Sequence, residues 1–361
     1  MTNLFEISKK LSTSALTEVI NLNQNNKEIE ILQKINIEKI KSFNLKRIFI
    51  KKNLKKVVIF FNATNYGEVT TKSKSSIIEK INSSQIKKDS VEDIKKRINN
   101  SIVILTNNIF FEIGTEKLFE LQKICNETLW IIQDYDNHHW IENSVQAAIF
   151  SDIYIPSHMD GEIGLLGKIN SNIIDYIPCG SNQWSSEFID SNIRNIKLEG
   201  RSQYPFGKYY FYEKFKSRNK YIQVLNSNFQ SINFTDKDFH KITMHDKWRE
   251  WTAHSIHWII PTANDLPIRF FDALITGGIP LVPITLSPYL NFLNVNKNYY
   301  LTYTQLDVYE PANIITSARF KINQGGDIAL RERSEYAYEK FHVDKIIDKI
   351  LLLVESLAKT H

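Results

Sequence analysis

The chain has 361 residues, 42% hydrophobic and 24% charged, with a formal net charge of +5. That balance excludes a disordered or fibrous protein, and the length suggests two domains of ordinary size. No apolar run approaches the roughly 18 residues that cross a bilayer, and the first residues lack the basic then apolar order of a signal peptide.

The expectation is therefore a cytoplasmic protein. Cys125 and Cys179 are the only cysteines, too few for a disulfide framework or a cysteine-based zinc site, so buried reduced thiols are expected. Residues 1–100 carry 20 Lys+Arg against 10 Asp+Glu, and the remaining residues 25 against 30. Such a basic end suits nucleic acid or an anionic membrane surface. Its lysines, however, alternate with apolar or acidic residues in "KKNLKKVVIFF" and "SQIKKDSVEDIKKRINN" and show no aromatic stacking pattern. A solvated face is the first reading, weak peripheral contact with the inner face of the cell membrane the second, and no nucleic acid partner is expected.

Apolar residues at three and four spacing make the first fifty residues helical in expectation. Short apolar runs then follow at 56–62, 101–107, 128–134, 151–157 and 173–180, with helical patterns such as "TEKLFELQKIC" and "HWIENSVQAAIF" between them. Buried strands alternating with helices predict a doubly wound parallel sheet. A second series has strand candidates at 220–227, 254–262, 279–285 and 298–304, and "EYAYEKFHVDKIIDKILLLVESL" reads as one closing helix. The stretch "CGSNQWSSEFIDSNIRN" reads as polar and irregular and marks the boundary near residue 180. The expected domains are 1–180, 181–340 and a C-terminal helix over 341–361.

The stretch "NDLPIRFFDALITGGIPLVP", residues 264–283, carries the chemistry. A strand ending at "IIPT" leads through a loop to a helix whose N–H groups and positive dipole end suit a diphosphate. Asp265 is expected to cap that helix and Pro267 to fit its first turn. Arg269 reaches an anion through its two-pronged guanidinium, and Asp272 accepts from ribose hydroxyls. Gly277 and Gly278 end the helix and let it pack closely on the next strand. An ordinary α/β unit with a surface Arg and Asp carries the same spacing, so the pattern alone is weak.

The string "PIRFFDALITGGIPLVP" resembles the nucleotide-sugar motif of GT-B glycosyltransferases, including the exostosin-like group, with Arg269, Phe270, Asp272, Ala273, Leu274, Gly277 and Pro280 at matching positions. "IIDYIPCGSNQWSSEF" is similar to the segment with which such enzymes leave their N-terminal domain, here Ile177, Pro178 and Gly180. Asp272 stands where the motif usually has Glu, and no glutamate pair of the retaining type is evident, so stereochemistry is open. The resemblance implies two Rossmann-like domains facing each other across a cleft. The second would bind the donor, a nucleoside-diphosphate sugar, through Arg269, Asp272, Asp265, Gly278 and Lys208. The first would bind a glycan or lipid-linked glycan acceptor, without cofactor or metal.

The catalytic group then belongs on a loop after an N-terminal strand. "LWIIQDYDNHHW" offers Asp136, His138 and His139 as candidate bases, with Tyr135 and Trp140 as sugar platforms. His158, after the following strand, is an acceptor-site candidate. Three rival readings use the same sequence. Asp134 and Asp136 form an Asp-x-Asp, which suits a metal-dependent GT-A transferase or, with the histidines, a hydrolase. A noncatalytic nucleotide-sugar or partner-binding protein is the third, with "YPFGKYYFYEKF" as its surface. The favoured expectation is a GT-B glycosyltransferase making a bacterial surface polysaccharide. The bacterial source is read from Ile, Lys and Asn richness, which suggests an AT-rich genome, together with the resemblance.

Overall fold

A computed structural model describes residues 34, 36–41, 46, 56–62, 66–69, 77–135, 141–157, 159, 176–235, 242–262 and 265–359. They divide into two units: one formed by the residues up to Cys179 with those from Ile346 onward, the other by Gly180–Lys345.

In the first unit the strands are β1 (Lys56–Phe61), β2 (Ile77–Asn82), β3 (Ile102–Thr106), β4 (Leu129–Gln133) and β5 (Ile153–Ile155). The helices interspersed with them are α1 (Ser83–Lys88), α2 (Val91–Ile98), α3 (Asn107–Ile113), α4 (Thr115–Ile124) and α5 (Ile141–Phe150). The sheet order is β2-β1-β3-β4-β5 and every pairing is parallel. Val57 to Phe60 and Ile102 to Leu105 are buried without a break, as strands covered on both faces must be. α2 shows why the lysine-rich stretch is a solvated face. Ser90 caps it, Lys95 and Lys96 pair with Glu92 and Asp93 one turn back, and only Ile94 and Ile98 are buried.

The second unit contains α6 (Ser186–Ile193), β6 (Ser202–Tyr209), α7 (Lys216–Asn228), β7 (Ile232–Phe234), α8 (Met244–Thr252) and β8 (His254–Trp258). After these come α9 (Ile268–Ile275), β9 (Ile279–Pro283), α10 (Ser287–Phe292), β10 (Leu301–Tyr303), α11 (Gln305–Tyr309) and α12 (Ala312–Phe341). A last helix, α13 (Val343–Lys359), carries the chain back to the first unit. The sheet order is β7-β6-β8-β9-β10, again all parallel. Both units therefore repeat one topology, with a switch of winding direction between β1 and β3 in the first and between β6 and β8 in the second. Pro205 sits in β6 where its pairing with β8 shifts register, the place in a sheet that tolerates a missing N–H.

Four expectations change. The strand expected over 220–227 is the helix α7, whose buried Arg218, Ile222 and Leu225 recur at four and three spacing. In its place β6 and β7 flank the helix, and β6 runs into the aromatic stretch. Of the strand expected over 173–180, residues 176–180 are irregular, with the Gln133 side chain donating to the Ile177 and Pro178 carbonyls in place of a ladder. The polar boundary stretch holds α6, started by the Ser185 hydroxyl accepting from the Phe188 N–H. The closing helix is two helices, α12 and α13, separated at His342, which is extended.

Candidate functional site

In a doubly wound sheet, ligands gather beyond the carboxyl ends of the strands at the switch point. In the second unit that point lies between β6 and β8. Arg269, the second residue of α9, donates from Nε to the Lys208 carbonyl at the end of β6, 2.8 Å away. Its guanidinium lies 5.3 Å from the ring centre of Tyr209. One side chain thus ties the helix following β8 to the end of β6.

Lys208 itself forms an ion pair with Glu250 of α8. Asp265 accepts from the Thr262 N–H at 3.0 Å, while Pro267 occupies the cap position of α9. Asp265 therefore braces the loop after β8 where a helix cap was expected. Asp272 is 1% exposed and receives the Ser181 hydroxyl at 2.6 Å. Burial raises its pKa to about 7, against the Ser181 hydrogen bond and the nearby Arg269, Lys247 and His342 charges. Gly278 lies against the ring of His257: a Cβ there would come within 2.3 Å of it. Gly277 takes φ 78°, and the carbonyl it presents accepts both Nε and Nη2 of the buried Arg333. The C-terminal end of α9 is thereby fixed, which sets the direction of its N-terminal end.

Sequence reasoning missed Arg218. It lies in the first turn of α7, is 5% exposed, and donates from Nη1 to the Tyr210 carbonyl at 2.9 Å. Its guanidinium lies 5.2 Å from the same Tyr209 ring and 5.3 Å from that of Tyr212. Burial lowers its pKa, and Arg269 adds to the effect. Arg218 also borders a cavity of about 380 Å³ beyond the ends of β8, β9 and β10, within the range of small-molecule sites. The signal is the four and three spacing of Arg218, Ile222 and Leu225, which the strand-like pattern of residues 220–227 masks.

Asp136, His138, His139, Trp140 and His158 lie outside the described residues. Asp134, next to them, is fully buried at the end of β4 and accepts from the Ser144 hydroxyl at 2.5 Å and from the Tyr154 hydroxyl. A carboxylate so engaged serves the fold of β4, α5 and β5. Among the described residues no group of three or more His, Cys, Asp or Glu is placed to hold a metal ion. Nor is any helix among them long and apolar enough to cross a membrane.

Two Rossmann-like units, each with a parallel five-stranded sheet, define the GT-B fold class. The chain is similar in structure to sucrose-phosphate synthase from Thermosynechococcus elongatus, with a TM-score of 0.50 and 10% sequence identity over 84% of this chain and 99% of that one. At that identity the likeness is one of fold, and it does not reach the exostosin-like group that the motif resembles. No protein family and no curated protein matches the chain. The GT-A alternative, which the Asp-x-Asp suggested, does not account for a second parallel sheet.

Proposed function

We propose that this protein is a glycosyltransferase that takes a sugar from a nucleoside-diphosphate sugar held by its second unit and passes it to a glycan or lipid-linked glycan. The observation that carries the reading is Arg269, set at the N-terminal end of α9 and tied to the end of β6 at the switch point. A guanidinium there offsets the charge that develops on a departing diphosphate, which is the main demand of glycosyl transfer on the donor side. The fold shared with sucrose-phosphate synthase supports the same reading. Lys208 ties the end of β6 to α8, Asp265 braces the loop before α9, and Asp272 holds that helix from within.

Deprotonation of the acceptor hydroxyl is assigned to Asp136, His138 or His139, with Trp140 and His158 shaping the acceptor site. Metal is not required in this scheme, because the arginine supplies the positive charge. The acceptor belongs to a bacterial surface polysaccharide on this proposal.

The test is a thermal-shift titration of the purified protein with UDP, GDP, dTDP, CDP and CMP, each with and without manganese. Stabilisation by one diphosphate regardless of manganese is the expected outcome. Stabilisation only with manganese would promote a metal-bridged donor, and no shift with any nucleotide would sink the donor assignment. Among proteins that bind, absence of sugar transfer to any glycan acceptor would leave the nucleotide-binding reading in its place.

A further inference from the structure

We infer that Arg218 is the main phosphate ligand of the second unit, acting with Arg269 as a two-guanidinium clamp for a diphosphate whose nucleoside occupies the adjoining cavity. The nucleoside part rests on the donor reading above; the anion site does not.

The first observation is an unbalanced buried cation. Arg218 is 5% exposed, and its Nε is buried without a hydrogen-bond partner. Its other contacts are the Tyr210 carbonyl and the faces of Tyr209 and Tyr212. Among the described residues no carboxylate lies within ion-pair distance of it. Arginine stays charged under physiological conditions, so a guanidinium in this position is costly unless an anion joins it. Of the arginine and carboxylate charges that act on it, the cation Arg269 has the larger effect and Asp265 the smaller, opposing one.

The second observation is the setting. α7 has 13 residues, and its N-cap residue, Phe215, makes no side-chain cap hydrogen bond, the kind of helix end that suits an anion. Arg218 stands in that first turn and also borders the cavity of about 380 Å³. Helix end, a guanidinium with an unsatisfied Nε, and cavity meet at one place.

The third is spacing. The two guanidinium carbons lie 5.2 and 5.3 Å from one ring centre, that of Tyr209, so they are separated by no more than about 10.5 Å, the sum of the two distances. A diphosphate with a bidentate contact at each end spans such a gap. Beyond Arg218 the cavity has apolar walls from Tyr221, Ile260 and Val308 and polar groups from Thr262, Thr304 and Gln305. That mixture suits a ring system with hydrogen-bonding edges.

The experiment is calorimetric titration of the full chain with pyrophosphate and, in parallel, with UDP and GDP, for wild type, Arg218→Gln and Arg218→Lys. Thermal unfolding of each variant serves as the folding control. Pyrophosphate should bind wild type and bind Arg218→Gln at least about tenfold more weakly, with Arg218→Lys between them because charge is kept and the fork is lost. Absence of pyrophosphate binding to wild type, or equal binding to folded Arg218→Gln, overturns the inference. Where the Gln variant does not fold, the Lys variant decides: a loss of about threefold or more supports the clamp, and unchanged affinity overturns it. If UDP and GDP bind wild type no better than pyrophosphate, and pyrophosphate binding depends on Arg218, the anion site stands and the donor reading falls. If a nucleoside diphosphate binds wild type and Arg218→Gln alike, the donor reading stands and Arg218 loses its role.

Discussion

Ser181 donates a 2.6 Å hydrogen bond to Asp272, joining the start of the second unit to the middle of α9 across 91 residues of chain. The carboxyl group is 1% exposed, and burial raises its pKa from 3.8 to about 7. The folded state therefore holds a proton that the unfolded chain releases between those values. This contribution to stability is full below pH 3.8, declines as pH rises to about 7, and is constant above. By linkage the decline amounts to about 4 kcal/mol over the whole window. Asp272→Asn mimics the protonated acid and should remove that slope. The check is the difference in unfolding free energy between wild type and variant from pH 5 to 8, and a difference that does not change with pH would refute the burial of a titrating acid here.

Gly278 supports α9 in a second way. A methyl group on it would approach Cδ2 of His257 to 2.3 Å and Nε2 to 2.5 Å. That ring has little room to retreat, because it stacks on Trp251 at 5.0 Å and packs edge-on against Phe206. Gly278→Ala should destabilise the protein by about 1–3 kcal/mol, the usual cost of overpacking a core. Urea unfolding measures it, and a wild-type midpoint would show that the helix and strand are not packed this closely.

In the first unit, Lys39 is buried and donates to the Phe150 and Ser151 carbonyls at the end of α5, at 2.6 and 2.8 Å. Burial lowers its pKa from 10.5 to about 7, opposed by the Asp152 carboxylate and assisted by Lys46, which itself pairs with Asp152 at 2.6 Å. Between about pH 7 and 10.5 the unfolded chain binds a proton that the native state lacks, so stability from this residue rises with pH across that range. Lys39→Met leaves the two carbonyls short of a donor, at a cost of about 1–3 kcal/mol. The deficit of the variant against wild type should grow from pH 7 to pH 9 in urea unfolding. A deficit that shrinks over that interval has the wrong sign for a buried neutral lysine.

The parts of this fold that were legible in the sequence are those in which one physical signal dominates. β1, β3, β4 and β9 are short, mostly apolar runs, and burial on both faces leaves no competing interpretation. α7 was not legible as a helix, since Ile222 and Val224 mimic strand alternation and the decisive Arg218 is a charged residue on the buried face. β2 escaped notice because "IIEKIN" is too short and too polar to stand out from its surroundings. At the site, Arg269 could be read from its place at a helix start, a local feature. The convergence of Arg218 and Arg269 on Tyr209 could not, because it depends on β6 lying beside β8, a pairing between segments about fifty residues apart. The inward position of Asp272 depends in the same way on Ser181.

Arg269→Ala bears most directly on function. The substitution removes the fork that faces the switch point and frees the Lys208 carbonyl from its 2.8 Å bond. Loss of a charge-assisted contact to a diphosphate costs about 2 kcal/mol, or roughly thirtyfold in affinity. A purely structural role would instead lower the unfolding midpoint while leaving nucleotide affinity of the folded fraction intact. Arg269→Lys separates the two cases, since it keeps the charge but cannot at once hold the Lys208 carbonyl and grip an anion bidentately. Nucleoside-diphosphate affinity should therefore fall in the order wild type, lysine variant, alanine variant, at similar thermal midpoints. Affinity equal to wild type in the folded alanine variant would remove Arg269 from the donor site and leave Arg218 to bind the phosphates alone.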